Sequence, residues 1–311
     1  MSNLRQTTRS SHLIFLFGPT GVGKTALLEQ VFASGYEVVN ADSKQIYRHL
    51  DIGSAKPDPA LLHRIPHHLI DIREPWEQFS VGDFVKLADV ACSKIVANGN
   101  IPIICGGTAY YFKHFYFGLP HAPKSDPKVR AHISELAQSH GLAWCHKRLQ
   151  EVDPISAEKI HPADAYRITR ALEVYETAGK PLSSFSLPTV ARNGINPLII
   201  GLHRDRDELE RRIETRVDSM FEQGLEAEFN HLVSLGATPE WPGMQGIGYR
   251  EFFVASEHKT MKREDIAKLI VRNSRMYAKR QMTFFRSLPH VHWVHPDNRE
   301  AIRSLIAKPI S

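Results

Sequence analysis

The chain has 311 residues, 42% of them hydrophobic, enough to bury a sizeable core in one large domain or two modest ones. No run approaches the roughly 18 uninterrupted apolar residues that a membrane span needs, and the opening MSNLRQTTRSSH lacks the apolar centre of a secretory signal. A cytoplasmic protein without a membrane partner is expected, working as a monomer. Cys92, Cys105 and Cys145 are odd in number and too widely spaced for a zinc knuckle or a disulfide framework, so reduced thiols are the simplest account. The formal charge of +5, from 39 Lys+Arg against 34 Asp+Glu, is a mild excess compatible with a polyanionic partner, but it decides little alone. It gathers at 204–216, 259–263 and 272–286, where a solvated helix face would look the same.

In chain order, an apolar run at 12–17 stops at Gly18, and 25–32 has helical periodicity. A second apolar run at 37–40 ends at Ala41-Asp42-Ser43. After a helical stretch at 82–97, a third run at 101–105 ends at Gly106-Gly107-Thr108. Strands alternating with helices indicate a parallel sheet covered on both faces, whose ligands bind at the carboxyl ends of the strands. The loops starting at Gly18, Asp42 and Gly106 should therefore share one crevice.

From about Leu119 the pattern changes to helices joined by Pro-rich breaks such as 120–127, with no convincing strand before Pro197. A helical insertion over 119–195 is expected inside a core made of 1–118 and 196–311. The core resumes with a buried strand at 198–203 and one long amphipathic helix over 205–235. Two more helices follow, the clearer at 263–288, then a strand at 291–294.

The strongest local signal is Gly18-Pro19-Thr20-Gly21-Val22-Gly23-Lys24-Thr25, a full match to the phosphate-loop pattern in the strand-to-helix context that pattern requires. Glycines let backbone N–H groups converge on phosphate oxygens, the helix N-terminus adds partial positive charge, Lys24 adds a full charge, and Thr25 can hold Mg²⁺. The loop does not identify the phosphate, since ATP, GTP and other diphosphates offer similar oxygens. Asp42 follows a buried strand and could take a proton from a nucleophile held in the crevice, or simply cap a helix. Gly106-Gly107-Thr108 suits a strand end approaching phosphate and equally a plain turn.

These segments, together with Asp42-Ser43-Lys44-Gln45-Ile46-Tyr47, Asp51-Ile52-Gly53-Ser54-Ala55-Lys56-Pro57 and His67-His68-Leu69-Ile70-Asp71, occur in an order and spacing that resemble the tRNA dimethylallyltransferase family. The likeness continues through residues 160–173, 245–251 and 277–281, and so covers about Leu13 to Val294. It implies a P-loop NTPase-like parallel sheet with a helical insertion domain. Dimethylallyl diphosphate would be the donor, Mg²⁺ the helper, and the acceptor the adenosine just 3′ of the anticodon, in the anticodon stem-loop of a tRNA.

The resemblance further implies that the phosphate loop cradles the diphosphate, with Asp42 facing the adenine N6 and Thr108 near the phosphate oxygens. By the same carry-over Asp42, Ser43, Lys44 and Gln45 lie along the tRNA. So do Tyr166, Arg167, Ile168, Thr169 and Arg170, and Gln245, Gly246, Ile247, Gly248, Tyr249 and Arg250, with Arg130 touching the RNA near the insertion. Arg216 and Arg280 are candidate extra clamps on the diphosphate, or surface ion pairs. Lys44 stands where the family has a small or apolar residue, and Ala109-Tyr110 replaces a more usual Gly-Leu or Met-Leu.

Other features have plainer readings. The 17 histidines show no metal-ligand spacing, and His67-His68 is read as structural, although the resemblance implies that His67 lies near the active site. The aromatic run 110–117 could stack bases, but a helix packing its aromatic side into the core is the simpler account. Trp76, Trp144, Trp241 and Trp293 are too scattered to interpret. A small-molecule kinase, an adenylate-directed isopentenyltransferase or a nucleotide-switch module could use the same loop and sheet. A free-nucleotide enzyme would not need the insertion or the basic C-terminal helix, and a switch module gives no reason for Asp42 or Thr108.

Overall fold

The computed structural model describes residues 13–32, 34–120, 122–124, 126–186, 188–257 and 261–307. His12, at the start of the first expected strand, and Lys259, in one of the basic segments, lie outside them. The chain divides into two compact units, one of residues 1–116 with 193–311 and the other Phe117–Arg192.

The first unit is built on strands β1 (Leu13–Phe17), β2 (Tyr36–Asn40), β3 (His67–His68), β4 (Ile101–Gly106), β5 (Pro197–Leu202) and β6 (His292–Val294). All pair in parallel, in the order β3-β2-β4-β1-β5-β6. Side chains on a strand alternate between faces, and here the alternation selects two kinds of core. Ile14 and Leu16 of β1 join Val38, Ile103, Ile200 and Leu202 on one side, under helix α1 (Lys24–Val31), α2 (Pro59–Arg64) and the C-terminal α13 (Arg299–Ala307). Phe15 and Phe17 point the other way. They meet Phe112 edge-on at 5.4 and 5.2 Å between centroids, and Phe17 stacks on Phe285 at 4.2 Å. Phe112 belongs to α4 (Ala109–Phe117), so most of the aromatic run packs inward as expected, with Tyr111, Phe112 and Phe115 buried and Tyr110 exposed. Helix α3 (Val81–Ala97) begins with a full capping box between Ser80 and Asp83.

Two expectations about elements change. The single helix over 205–235 is two, α9 (Arg206–Glu222) and α10 (Leu225–Ser234), because Gly224 adopts a left-handed φ of 100° that ends one helix and starts the other. The redirected α10 brings Phe229 and Leu232 into a second cluster with Ile46, Leu50, Val217, Met244 and Tyr249, joined by α11 (Arg250–Glu257) and α12 (Arg263–Phe285). The two-residue β3 and the six-residue α2 carry too little periodicity to be read from sequence, whereas α13 was overlooked although Ile302, Leu305 and Ile306 have helical spacing. The histidine pair forms β3. His68 Nε2 bonds Glu37 Oε2 at 2.6 Å and His67 Nδ1 bonds the Ile65 carbonyl at 2.6 Å, which is the structural reading.

The second unit holds α5 (Pro127–His140), α6 (Leu142–Val152), α7 (Pro154–Lys159) and α8 (Ala165–Ala178), followed by a 3₁₀ turn at Leu182–Ser184. Their apolar faces enclose Ile133, Cys145, Leu149, Ile160, Ile168 and Leu172. Buried Asp153 ties the unit together, accepting the N–H groups of Ser156 and Ser183 at 3.0 and 2.9 Å. Among the described residues no helix is long and apolar enough to cross a membrane.

The carboxyl ends of β2 and β4 approach so closely that a Cβ on Gly106 would lie 2.2 Å from the Ala41 carbonyl oxygen. Backbone cannot yield as a flexible side chain does. Gly106→Ala is therefore expected to cost about 1–3 kcal/mol or more, as overpacking does, in urea unfolding. Wild-type stability in that variant would mean the strands separate freely.

Candidate active site

The phosphate loop crosses from β1 to α1 over the carboxyl edge of the sheet, with Gly21 and Gly23 at φ of 79° and 105°. Two arginines of the α9 region hold its carbonyls. Arg212 Nε donates to the Gly21 carbonyl at 2.8 Å and Arg204 Nε to the Val22 carbonyl at 2.9 Å. In a trans peptide C=O and N–H point oppositely, so fixing the Val22 carbonyl on one side turns the Gly23 N–H to the other. Arg204 is itself anchored by both oxygens of Asp297 at 2.8 and 2.9 Å and by Glu208. Lys24 folds back on the loop, donating to the carbonyls of Gly18 and Pro19 at 2.8 and 3.1 Å. Burial pushes its pKa down to about 8, partly opposed by Asp42.

Two cavities of about 350 Å³ each open beside this loop and share Thr20, Asp42, Arg216 and Tyr277 in their walls. The phosphate-loop cavity is lined by Gly21, Gly23, Lys24, Thr25, Arg212 and Gly107. The second is lined by Lys44, Gln245, Gly246, Gly248, Arg250 and Arg280. Burial lowers the pKa of Arg216, with Asp42 as the opposing influence, and among the described residues no carboxylate lies within ion-pair distance of it. A half-buried cation without a carboxylate partner, beside a second one on a helix N-terminus, makes an anion site.

Asp42 stands between the cavities. Its Oδ1 accepts the Lys44 N–H at 2.9 Å, capping a turn and not the helix that was the alternative, since residues 43–46 are turn. Its Oδ2 is the oxygen directed past Gly107, 3.9 Å from where a Cβ there would sit. A carboxylate with one oxygen fixed by backbone and the other turned to a cavity can accept a proton in a defined direction.

Comparison with known proteins gives this arrangement its relatives. Residues 45–288 match the model of the family described as IPP transferase. The chain is 41% identical over 306 residues to a tRNA dimethylallyltransferase of Geobacter sulfurreducens, covering 97% of this chain and 98% of that one. It is 39% identical to a tRNA dimethylallyltransferase of Borrelia hermsii, over 93% and 96%. The chain belongs to the IPP transferase family. Among solved structures, the full-length tRNA isopentenylpyrophosphate transferase of Bacillus halodurans superposes with a TM-score of 0.68 at 34% identity, covering 96% of each chain. A eukaryotic dimethylallyltransferase described as acting on tRNA gives 0.77 at 26% identity, over 97% of this chain and 81% of that one.

The site residues that the family resemblance implied divide between the two cavities and the helical unit. Gly18 and Pro19 form the back of the phosphate loop, where a Cβ on Gly18 would lie 2.8 Å from the Leu202 carbonyl. Arg280, expected on the diphosphate, lines the second cavity, while Gln45, expected along the RNA, lines the phosphate-loop cavity and donates to the carbonyls of Ser54 and Ala55. The Thr108 hydroxyl accepts the Ser43 N–H at 2.9 Å and bonds the Tyr277 hydroxyl, so the wall there is Gly107. Lys44 donates to the Pro242 carbonyl at 2.7 Å, and burial pushes its pKa down to about 8.

Two side chains have a packing role instead of an open one. Tyr249 is fully buried with its hydroxyl on Glu228 at 2.7 Å, and Ile168 is fully buried in the helical unit's core. Tyr166 and Arg167 beside it are exposed, the Thr169 hydroxyl donates back to the Ala165 carbonyl, and Arg130 and Arg170 both pair with buried Glu173.

Sequence reading missed the side chains that hold the loops. Gln281 accepts the Thr20 N–H at 2.9 Å and donates to the Gly107 carbonyl at 2.6 Å. Glu228 accepts the N–H groups of Asp51, Ile52 and Gly53 at 2.9, 2.8 and 3.0 Å. Glu251, fully buried, takes the Gly248 N–H at 2.8 Å and the Asn273 amide at 2.6 Å. Gln281 and Glu251 fall inside the motifs 277–281 and 245–251, which was the available signal; Glu228 had none.

Lys24 also sets a pH dependence. Its folded pKa, about 8, lies below its unfolded value, so the unfolded chain binds the extra proton between about pH 8 and 10.5 and stability rises with pH across that window. Binding shows the opposite trend, because an anion needs Lys24 charged. Titration calorimetry with a diphosphate monoester should find affinity falling up to tenfold per pH unit above about 8, with proton uptake on binding, and Lys24→Met should abolish that slope. A flat profile in wild type would remove Lys24 from the anion site.

Proposed function

We propose that this enzyme, a tRNA dimethylallyltransferase, moves the dimethylallyl group from dimethylallyl diphosphate to N6 of adenosine 37, next to the anticodon on its 3′ side. The products are N6-dimethylallyladenosine and diphosphate, in cytoplasmic tRNAs that read codons beginning with U, and the enzyme works as a monomer. The observation that carries this reading is the position of Asp42 at the meeting point of two cavities, one walled by the phosphate loop and cations, the other by the loop at residues 245–250.

An allylic diphosphate can ionise because the developing cation is delocalised, whereas an exocyclic adenine amine is a weak nucleophile. Charge on the departing diphosphate must therefore be met by fixed donors. Lys24, Arg216 and the loop N–H groups supply them, and one preorganised donor of this kind is commonly worth about 3–4 kcal/mol in the transition state. As the bond from N6 to the allylic carbon forms and the carbon–oxygen bond breaks, the N6 proton passes to Asp42. Diphosphate keeps the bonding pair and leaves in the phosphate-loop cavity.

Mg²⁺ fits the donor set modestly. It takes one or two protein oxygens plus substrate phosphates and water, and the Thr25 hydroxyl on the phosphate-loop cavity is one such oxygen. Bound there, the ion would neutralise charge on the diphosphate.

The target adenine reacts only outside its stack, so the RNA loop must evert it into the second cavity at a cost of a few kcal/mol, offset by loop contacts. Arg250 and Arg280 supply positive charge on that side.

Mass spectrometry of the nucleosides and ribonuclease fragments of tRNA incubated with the protein, Mg²⁺ and dimethylallyl diphosphate should find dimethylallyladenosine, in the fragment with the 3′-adjacent position alone. Asp42→Ala should lower turnover by roughly 10²- to 10⁴-fold while both substrates still bind. Unchanged turnover in that variant, or ATP cleavage with RNA left unmodified by the wild type, would overturn the reading.

A further inference from the structure

Of the four scattered tryptophans, the fold brings two together. Trp76 meets Trp241 edge-to-face with ring centroids 5.1 Å apart. Trp241 is partly buried against the cluster shared by α9, α10 and α12, so its core role is evident. Trp76 has no such role, and half of it is exposed. Yet its loop is held firmly. Glu74 N–H donates to the Glu77 carboxylate at 2.7 Å, Glu77 N–H to the Glu74 carbonyl at 3.0 Å, and Arg48 pairs with Glu74.

The pair is joined to the rim of the second cavity through backbone. Gly243 N–H donates to the Pro75 carbonyl at 2.9 Å, and Met244 N–H to the Trp241 carbonyl at 2.9 Å. Lys44, in the cavity wall, donates to the Pro242 carbonyl between them, and Gln245, also in that wall, donates from its side chain to the Glu240 carbonyl at 3.4 Å. A half-exposed indole on a braced loop beside a cation-lined opening is the arrangement in which aromatic rings receive nucleobases. An apolar protein or lipid partner would call for a contiguous apolar patch, whereas this ring sits on a loop that carries Glu74 and Glu77, with Arg48 paired to Glu74.

We infer that Trp76, seated on Trp241, is a stacking platform for a base of the RNA that flanks the adenosine entering the second cavity. The inference rests on the RNA-modifying reading above. The loop that carries the indole is already held by hydrogen bonds and the ring already rests on Trp241, so stacking orders little protein and its benefit appears as RNA affinity. The site tolerates any base, because every base offers a π-face.

The test uses the full chain and a 17-nucleotide anticodon hairpin RNA with adenosine 3′ of the anticodon. Adding the hairpin should quench tryptophan fluorescence in the wild type and much less in Trp76→Phe, which loses the indole but keeps a ring. Trp76→Ala should raise KM for the hairpin roughly tenfold, with the loss falling on KM and not on kcat, and Trp76→Phe should recover much of it. Equal quenching in wild type and Trp76→Phe, or an unchanged KM in Trp76→Ala, overturns the inference and leaves the proposed reaction intact. Trp76-dependent quenching in a protein that never prenylates the hairpin supports the platform and sinks the proposed reaction.

Discussion

One side-chain amide joins the parts on which the site depends. Gln281 of α12 accepts from the backbone of the phosphate loop at Thr20 and donates to the backbone at the end of β4, at Gly107. It is buried, and a buried amide with both ends satisfied has no neighbouring arrangement of equal energy, since releasing either end strands a polar group without water. Gly107 permits the contact, for a Cβ there would approach the Gln281 nitrogen to 2.5 Å. The phosphate loop is thereby fixed to the neighbouring strand end and to the helix that carries Tyr277, while Arg212 and Arg204 hold its opposite flank.

This fixation makes the electrostatics tolerable. Lys24 and Arg216 sit where burial works against their charge, and both pKa values are lowered for that reason. A flexible loop would relieve such strain by letting Lys24 swing into solvent or fold onto a carboxylate; Arg216 is held separately, on helix α9. Held in place, they keep their charge directed at the space between the loop and Asp42, and no reorganisation is needed when negative charge appears there. Cys105, behind the loop, does not compete as an anion, since burial pushes its thiol up to about 12.

The sequence made some of this legible and not the rest, for physical reasons. Local chemistry was legible: the glycine-lysine loop, the strand ends at Asn40 and Gly106, and the periodicity of α3 and α12 are all written within a few consecutive residues. Long-range satisfaction was not. Glu228 accepts three N–H groups from residues 51–53, and nothing in an amphipathic helix marks one acid as the partner of a distant loop. The break at Gly224 was missed because apolar periodicity continues across it, and only the left-handed backbone ends the helix. Ile168 and Tyr249 lay inside motifs shared with the family and so were grouped with surface contacts, although helical spacing in α8 already put Ile168 beside Leu172 on the apolar side. Conversely, the Trp76 and Trp241 pairing exists only once the turn at 243 is laid against Pro75.

Three carboxylates around the second cavity show how role follows from hydrogen-bond saturation. Glu228 is filled by three backbone N–H groups and the Tyr249 hydroxyl, and Glu251 by the Gly248 N–H, the Asn273 amide and Arg250. Each commits both of its oxygens to holding a loop. Asp42 differs in that one oxygen accepts Lys44 N–H while the other meets no donor among the described residues. Its backbone N–H is in turn fixed by the Asn40 side chain at 3.2 Å, so the free oxygen cannot rotate far from the junction of the cavities. The same functional group thus yields two braces and one acceptor, and the distinction lies in which backbone donors the fold has already committed.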